Sequence, residues 1–364
     1  MADLFEYLKW RGDLSFEQVP LGEVDNLIFS LLSYVKYQDV IFGFEEAERI
    51  TLREAVERYD HIHYPPNDDS LGALIPGRNI LRLLRAAGAT CRFGSVEVAG
   101  YVDSLCDKEE KQFAAITFLL PDGTAYVAFR GTDDTIVGWK EDFNMSHHSP
   151  IPSQLEATAY LNRAGRVHRG PLIVGGHSKG GNLAVYAGVH CLFEVKERIT
   201  AIYNNDGPGF DRDAMYEDGY REICHKIKTY VPAYSVVGML FERLEAYTVV
   251  ESRESKLMQH DGFSWEVEGA SFIRAEDILP DSKRIDRTMK EWVSSMSKDD
   301  REAYVNAIYE LLTSTEMKTL SELSRSWLKL LRSYLTMDSA TRDRIHEATK
   351  GFLLNYRKNK QSDE

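Results

Sequence analysis

Ser178 lies at the centre of a Gly-His-Ser-Lys-Gly pentapeptide, which has the form Gly-x-Ser-x-Gly. A short apolar run, residues 171–175, precedes it, and an apolar-periodic stretch, residues 182–192, follows it. This order predicts a strand, a sharp turn and a helix, with the serine hydroxyl raised at the turn as a nucleophile. Both glycines are expected to lie so close to neighbouring backbone that a larger side chain would collide. The alternative is a glycine-rich turn in which Ser178 only caps the helix, and it predicts no catalytic partners.

A serine hydroxyl needs a base, which is usually a histidine that follows it in the chain order of such hydrolases. Four histidines follow the serine: His190, His225, His260 and His346. Three of them fall in the helix after the serine, at the amino end of a predicted strand and in a charged helical segment. His260 instead lies in a polar loop after the strand-like residues 247–250. We therefore expect His260 to be the base, against the alternative of a loop histidine without a role.

The acid that orients this base is expected at the carboxyl end of a strand, where catalytic groups of open α/β sheets gather. Asp206 directly follows the apolar run 199–205 and precedes a Gly-Pro-Gly turn. The next predicted strand, residues 227–231, is not closely followed by a carboxylate. Asp206 is therefore the predicted acid, unless it only shapes the turn. Asp261 is a weaker candidate, because it neighbours the histidine in sequence and adjacent side chains in an extended loop diverge.

Two backbone amides should stabilise the negative oxygen that forms when a serine attacks a carbonyl. One is the N–H of Lys179, at the start of the predicted helix. The other is the N–H of Thr132, which follows the β-branched and aromatic strand 125–130. Asp142 is expected to orient this second loop, by pairing with Arg130. The alternative is an ordinary turn after the strand, with a capped helix behind it.

The run Val-Ala-Phe-Arg-Gly-Thr at residues 127–132, together with Trp139, Asp142 and the serine motif, resembles the class 3 (triacylglycerol) lipases. A closer resemblance is to an uncharacterised family of bacterial lipase-like proteins. It is carried by residues 10–16, 24–27, 205–210, 237–240 and 259–261. The resemblance implies an α/β-hydrolase fold, with a central, largely parallel sheet flanked by helices. It also implies that the threonine after Arg-Gly contributes to the oxyanion hole.

The chain departs from the class 3 lipases at two positions. Those enzymes carry an aspartate where Ser235 stands, and usually a leucine where Lys179 stands. The first departure favours Asp206 as the acid. The second sets a charge beside the nucleophile, which weighs against a lipid-like substrate.

Strand-like and helix-like segments alternate from residue 113 to 231, which is typical of a parallel sheet with helical crossovers. From about residue 275 the pattern becomes purely helical, with a capping-box sequence at residues 297–300. We therefore expect a hydrolase domain with an N-terminal helical extension over residues 1–274, and a C-terminal α-helical subdomain over residues 275–364. The apolar faces of these helices are expected to pack on the hydrolase domain, and a homodimer interface is the alternative.

Further elements outside the motifs are a charged helix over residues 44–59 and an exposed loop over residues 64–76 near the site entrance. The net charge of −13 argues against binding of nucleic acid or an anionic membrane. There is no apolar run long enough to cross a membrane and no basic-then-apolar leader, so we expect a cytoplasmic protein without integral membrane association.

The four cysteines are scattered without the spacing of metal ligands and are expected to be reduced thiols. The pair His147 and His148 is not interpreted as a metal site, and no metal or cofactor is implied. The sequence therefore predicts a serine hydrolase with the triad Ser178, His260 and Asp206, acting on a small-molecule or lipid-like ester. Two alternatives stay open: a non-catalytic protein that acts through its helical subdomain, and an amidase or peptidase on the same scaffold.

Overall fold

The computed structural model describes residues 2–44, 49–63, 77–211, 218–315, 319 and 327–363. Its strands are β1 Ile50–Thr51, β2 Glu97–Cys106, β3 Lys111–Leu119, β4 Ala125–Phe129, β5 Leu172–His177, β6 Ile199–Asn205, β7 Ile227–Pro232, β8 Tyr247–Val250, β9 Val267–Glu268 and β10 Ser271–Phe272. Its helices are α1 Leu4–Arg11, α2 Glu23–Leu32, α3 Leu52–Ile62, α4 Gly77–Gly88, α5 Cys91–Gly94, α6 Ile136–Asn144, α7 Pro152–Val167, α8 Lys179–His190, α9 Phe193–Lys196, α10 Asp218–Ile223, α11 Pro280–Ser294, α12 Lys298–Thr313, α13 Trp327–Thr336 and α14 Ser339–Asp363.

Within the described chain, β1 to β8 form one sheet in which every strand neighbours the next in sequence. The first four strands pair antiparallel, and β4 to β8 pair parallel. The connections differ accordingly: residues 120–124 can only turn back between β3 and β4, whereas helices cross over between the consecutive strands from β4 to β7. A longer connection, residues 233–246, carries the chain from β7 to β8. The fold is thus the α/β-hydrolase fold, with its parallel part under the predicted nucleophile.

The central strands are buried on both faces, as parallel strands between helical layers must be. Tyr126 of β4 packs with α2 in one apolar core, and its neighbour Val127 packs with α7 and α8 in the other. Alternate side chains of a strand point to opposite faces, so β4 contributes to both cores. The two cores hold the carboxyl ends of β4 to β8 in place, and the predicted site residues lie at those ends.

The C-terminal helices contact α6 and one another. Helix α12 packs against both α6 and α14, and α11 packs against α14. Ser297 and Asp300 form the predicted capping box at the start of α12, which confirms that helix boundary. The last helix continues to Asp363, whose carboxylate accepts hydrogen bonds from Arg284 and Arg287 of α11. The division of the chain into two domains stays a prediction.

One predicted element differs from the structure. The charged helix expected over residues 44–59 begins only at Leu52, because Thr51 caps it and also pairs with β2 as part of β1. The side chain of Glu54 closes the capping box on the N–H of Thr51. The loop predicted at residues 64–76 lies outside the described residues.

Candidate active site

Ser178 joins the end of β5 to the first residue of α8, in the strand–turn–helix order that the sequence predicts. Its backbone has φ 58° and ψ −133°, a conformation that L residues rarely adopt and that often marks a functional site. A Cβ at Gly176 would lie 2.2 Å from the carbonyl carbon of Gly180. A Cβ at Gly180 would lie 2.2 Å from the carbonyl oxygen of Phe129 at the end of β4. Both glycines are therefore required by close backbone approach, as predicted.

His260 and Asp206 form a buried hydrogen-bonded pair. Nδ1 of the histidine lies 2.6 Å from Oδ2 of the aspartate. Because an ionised carboxylate only accepts hydrogen bonds, Nδ1 carries the proton and Nε2 keeps a free lone pair. His260 lines the same cavity as Ser178. The geometry therefore brings together the predicted base and acid, next to the predicted nucleophile.

The Ser178 hydroxyl makes no hydrogen bond to any residue that the structure describes, and its side chain is half-buried. Catalytic hydrogen bonds of this kind are often long before substrate binds and tighten in the complex. The serine oxygen is thus accessible from the cavity and uncommitted.

The backbone around Asp206 is held by several neighbours. Its own φ is 51°, and its N–H donates to the carbonyl oxygen of Tyr230 on β7. The second carboxylate oxygen, Oδ1, accepts a 2.5 Å hydrogen bond from the hydroxyl of Ser235. Gly238 packs so closely that a Cβ there would lie 2.2 Å from Oδ1. The aspartate therefore has both oxygens engaged, one by the base and one by the loop after β7.

This arrangement explains the departure at Ser235 from the class 3 pattern. Asp206, the predicted acid, directly follows β6, and Ser235, in the loop after the neighbouring strand β7, donates a hydrogen bond to its carboxylate. Ser282 of α11 in turn donates to the carbonyl oxygen of Ser235. Arg243 bridges the same region, because its guanidinium donates to the carbonyls of Gly207 and Gly238.

Asp261, the weaker candidate for the acid, has a different function. Its carboxylate accepts the N–H of Phe263 and caps the short turn over residues 262–264. Burial raises its pKa to about 6. It contributes to the shape of the loop that carries His260, and it is Asp206 that binds the imidazole.

The two predicted oxyanion donors flank the serine. Lys179 is the first residue of α8, and the amides at the start of a helix have no partner within it. The Thr132 loop is close as well, since a Cβ at Gly131 would lie 3.1 Å from Cβ of Ser178. Thr132 and Lys179 both line the cavity that contains the serine. The position of these amides suits a developing oxyanion.

Asp142 holds the Thr132 loop, although not through the predicted partner. Its Oδ2 accepts a 2.5 Å hydrogen bond from the Thr132 hydroxyl. Burial raises the pKa of Asp142 to about 6, against the opposing effect of the Lys179 ammonium. Arg130 instead binds Asp103 at 2.7 Å and lies 3.6 Å from Asp133. The expected Asp142–Arg130 pair is wrong, because the buried guanidinium turns towards β2 and away from α6.

The ammonium of Lys179 is buried and neutralised. Its Nζ lies 2.8 Å from Oε2 of Glu141 and donates to both oxygens of Gln112 at 2.9 Å. The Lys179 and Glu141 side chains are 1% and 0% exposed. The lysine therefore offers the cavity its backbone N–H, while its charge is paired inside the protein. The expected free charge beside the predicted nucleophile is therefore absent from the cavity, and it gives no reason to exclude an apolar substrate.

His177, the residue before the serine, contacts the loop that carries His260. Its Nε2 lies 2.8 Å from the carbonyl oxygen of His260, and the two rings lie 4.7 Å apart between centroids. Its Nδ1 lies 3.2 Å from the hydroxyl of Tyr34. Burial holds the pKa of His177 well below its usual range, so the ring is neutral and Nε2 donates to the carbonyl. It thereby positions the loop that carries His260, the predicted base.

Sequence reasoning missed four contributors to the site: Glu141, His177, Ser235 and Arg243. For His177 a signal existed, because it occupies the variable position directly before the serine. For Ser235 the signal was its alignment with the class 3 aspartate. Glu141 and Arg243 carry no local pattern, and only the folded chain brings them to the site.

The cavity at the serine has a volume of about 830 Å³. This is within the range of roughly 300–1,000 Å³ that is usual for sites that bind small molecules. Its walls come from the loops after β4, β6 and β7, from α6, and from the C-terminal helices α11 and α12. Among the residues that the structure describes, no group of three or more His, Cys, Asp or Glu side chains could hold a metal ion. In the same residues, no helix is long and apolar enough to span a membrane.

A sequence profile of the Mbeg1-like family matches residues 87–310, well over half of the chain. The chain belongs to the Mbeg1-like family. The match includes every candidate site residue, the whole of α11 and most of α12. The helices that border the cavity are thus part of the segment that defines membership of the family. None of the curated proteins compared with the chain matches it.

Two solved lipases are similar in structure to this member of the family. A mutant form of MDLA from Penicillium cyclopium is 11% identical, with 70% of this chain and 85% of that chain covered, at a TM-score of 0.37. M37 lipase is 15% identical, with 58% of this chain and 68% of that chain covered, at a TM-score of 0.34. The fold assignment rests on the sheet order and the strand–turn–helix geometry described above.

Proposed function

We propose that this chain is a serine hydrolase that cleaves carboxylic esters through a covalent acyl-enzyme. The observation that carries the proposal is the 2.6 Å contact between His260 and Asp206, in a cavity that Ser178 also lines. A strained serine, a histidine and a buried carboxylate are the groups that acyl transfer needs. The alternative, a turn in which Ser178 only caps the helix, does not predict such a pair in the same cavity.

In the first step, Nε2 of His260 accepts the Ser178 proton as the serine oxygen attacks the ester carbonyl carbon. The N–H groups of Lys179 and Thr132 stabilise the negative oxygen of the tetrahedral intermediate. The intermediate then collapses, the bond to the alcohol breaks, and the imidazolium protonates the leaving oxygen. Asp206 stabilises this imidazolium and keeps its ring in the productive orientation.

In the second step, water attacks the acyl-enzyme while His260 takes one of its protons. Collapse of the second intermediate releases the carboxylic acid, and the proton returns to the Ser178 oxygen. The Thr132 hydroxyl stays bound to Asp142 throughout, which keeps the oxyanion loop in one conformation. No cofactor takes part in this sequence of steps.

The proposal is tested with a fluorophosphonate probe, which reacts only with an activated serine, and with hydrolysis of p-nitrophenyl acetate. Replacement of the nucleophile, Ser178→Ala, should abolish labelling and lower kcat/KM by more than about a thousandfold. Ser146→Ala is the matched control, because Ser146 lines the same cavity and its hydroxyl bonds to the carbonyl of Phe143 and to Nδ1 of His147, away from the predicted triad. Labelling and hydrolysis should survive in the control. Full esterase activity in the Ser178 variant would overturn the proposal.

A non-catalytic role is the second candidate, because the Ser178 hydroxyl forms no hydrogen bond to His260 within the described residues. The same probe separates the two. A wild-type protein that folds normally but does not react with the fluorophosphonate would favour the non-catalytic role.

A further inference from the structure

Two C-terminal helices present apolar faces to the cavity at the serine. Among the α11 residues that line it, Trp292 and Val293 follow Met289 at intervals of three and four, and Met296 follows just beyond the end of the helix. The same helix also contributes polar residues to the lining: Asp286, Lys290, Glu291 and Ser294. The apolar residues of α12 that line the cavity lie at the same intervals: Tyr304, Val305 and Ile308. Such intervals place side chains on one face of a helix. Each helix therefore turns an apolar stripe towards the nucleophile.

The two helices are attached to the hydrolase sheet on both sides of the cavity. On one side, Ser282 of α11 donates to the carbonyl of Ser235, in the loop after β7. On the other side, Arg301 of α12 donates to the carbonyl of Ser146 at 2.7 Å, in the loop after α6. The ammonium of Lys140 on α6 also lies 4.1 Å from the ring centroid of Tyr309. The helical pair therefore spans the cavity as a roof.

The floor and sides of the cavity contribute further apolar side chains, beside the acidic Asp211, Glu242 and Asp286. Aromatic and aliphatic side chains contribute from α6 and from the loops after β6 and β7: Trp139, Phe143, Phe210, Leu240 and Phe241. The cations of the lining are engaged elsewhere. Lys290 lies 3.2 Å from Asp286 and 3.8 Å from Glu242, and Arg301 donates to backbone carbonyls. An anionic group would meet carboxylates and find no free partner among these cations, whereas an apolar chain would contact apolar side chains of both the floor and the roof.

We propose that this cavity takes the single apolar acyl chain of a dissolved ester, and that the stripe on α11 sets the length of chain it accepts. The inference rests on the proposed function, since it assumes that Ser178 attacks the ester carbonyl. It assigns the C-terminal helices to the substrate site. Each methylene that enters the cavity leaves water, which should raise kcat/KM by roughly fourfold. The gain ends where the chain meets the α11 stripe.

The test compares p-nitrophenyl acetate, butyrate, octanoate and dodecanoate, each below its solubility limit. In the wild type, kcat/KM should rise from butyrate to octanoate by on the order of a hundredfold. Val293→Trp fills the cavity, so kcat/KM for octanoate should fall at least about tenfold further than kcat/KM for acetate. Lys283→Trp is the matched control, because it adds the same ring to an exposed position of the same helix. It should leave the chain-length profile unaltered.

A second variant keeps the test valid if the tryptophan at residue 293 prevents the helices from packing. Val293→Ala enlarges the cavity, and it should shift the preference from octanoate towards dodecanoate. Melting temperature and fluorophosphonate labelling report whether each variant is folded. A flat chain-length profile in the wild type, or equal losses for acetate and octanoate in the tryptophan variant, would overturn the acyl-site proposal.

The two proposals fail in different ways. If the wild type reacts with the probe and hydrolyses p-nitrophenyl acetate, but chain length does not change kcat/KM, the protein is a serine hydrolase and the acyl-site proposal is wrong. If the wild type neither reacts nor hydrolyses any ester, the proposed function itself is wrong. Fluorophosphonates with short and long alkyl chains add an independent reading, because the long-chain probe should label the wild type faster.

Discussion

Two buried acid–base pairs lie beside Ser178, and they differ in how many of their polar atoms are already engaged. In the pair of Lys179 and Glu141, the ammonium has three acceptors within 2.9 Å. The two glutamate oxygens also accept the backbone N–H groups of Gln112 and Ser153. In the pair of His260 and Asp206, both carboxylate oxygens are engaged, but Nε2 of the imidazole bonds to no residue that the structure describes.

The difference separates structural from chemical use of similar groups. A buried charged group whose polar atoms are all hydrogen-bonded cannot bind a substrate as well. We therefore expect its removal to lower the free energy of unfolding. A buried histidine–carboxylate pair whose imidazole keeps a free lone pair towards a cavity can accept a proton. We therefore expect its removal to lower the reaction rate. Three substitutions test this division, in order of expected size.

The largest effect is expected for Asp206→Asn. The asparagine amide can donate to Nδ1 of His260, which leaves the proton on Nε2 and prevents it from accepting one from Ser178. We expect kcat/KM for p-nitrophenyl acetate to fall by about 10⁴-fold, with little change in melting temperature. An activity that stays near the wild-type value would show that another carboxylate orients the base. Asp261→Asn is the control, and it should affect activity far less.

The next effect is expected for Glu141→Gln, and it should appear in stability. The substitution removes the carboxylate nearest to the buried Lys179 ammonium and leaves Asp142, 3.8 Å away, as its remaining counter-charge. We expect the free energy of unfolding to fall by about 3–5 kcal/mol in urea titrations. The kcat of the folded fraction should stay close to that of the wild type. A large loss of kcat with unchanged stability would contradict the division between the two pairs.

The smallest effect is expected for Ser235→Ala. Its hydroxyl donates to Oδ1 of Asp206, so its loss removes one of the two hydrogen bonds that hold the carboxylate. We expect kcat to fall by about tenfold with KM unchanged, since a hydrogen bond to a charged group contributes about 1.5–3 kcal/mol. The carboxylate would also be less stabilised, so the acid limb of the pH–rate profile should move to higher pH. Ser235→Thr keeps the hydroxyl and should restore most of the rate. A purely structural serine would lower stability and leave the pH profile in place.

Much of the fold could be predicted from the pattern of residues close together in the sequence. The predicted strands at residues 199–205 and 247–250 have the same bounds in the structure, and the capping box at Ser297 begins its helix. The carboxyl end of β6 and the loop after β8 could be located in the same way, which is why Asp206 and His260 were found before their contact was known. The local pattern failed at Asp142, because the choice between Arg130 and Thr132 depends on which way a buried side chain turns.

The amino-acid sequence by itself determined the strand–turn–helix around Ser178, since two glycines and an apolar run are sufficient to specify that geometry. It also determined that Asp206 directly follows β6 and that His260 lies in the loop after β8. Only the tertiary structure decided that the Lys179 charge is paired with Glu141, that Ser235 supports Asp206, and that α11 and α12 roof the cavity. Those contacts join residues 29 to more than 100 positions apart, and no periodicity in a chain encodes the packing that brings such residues together.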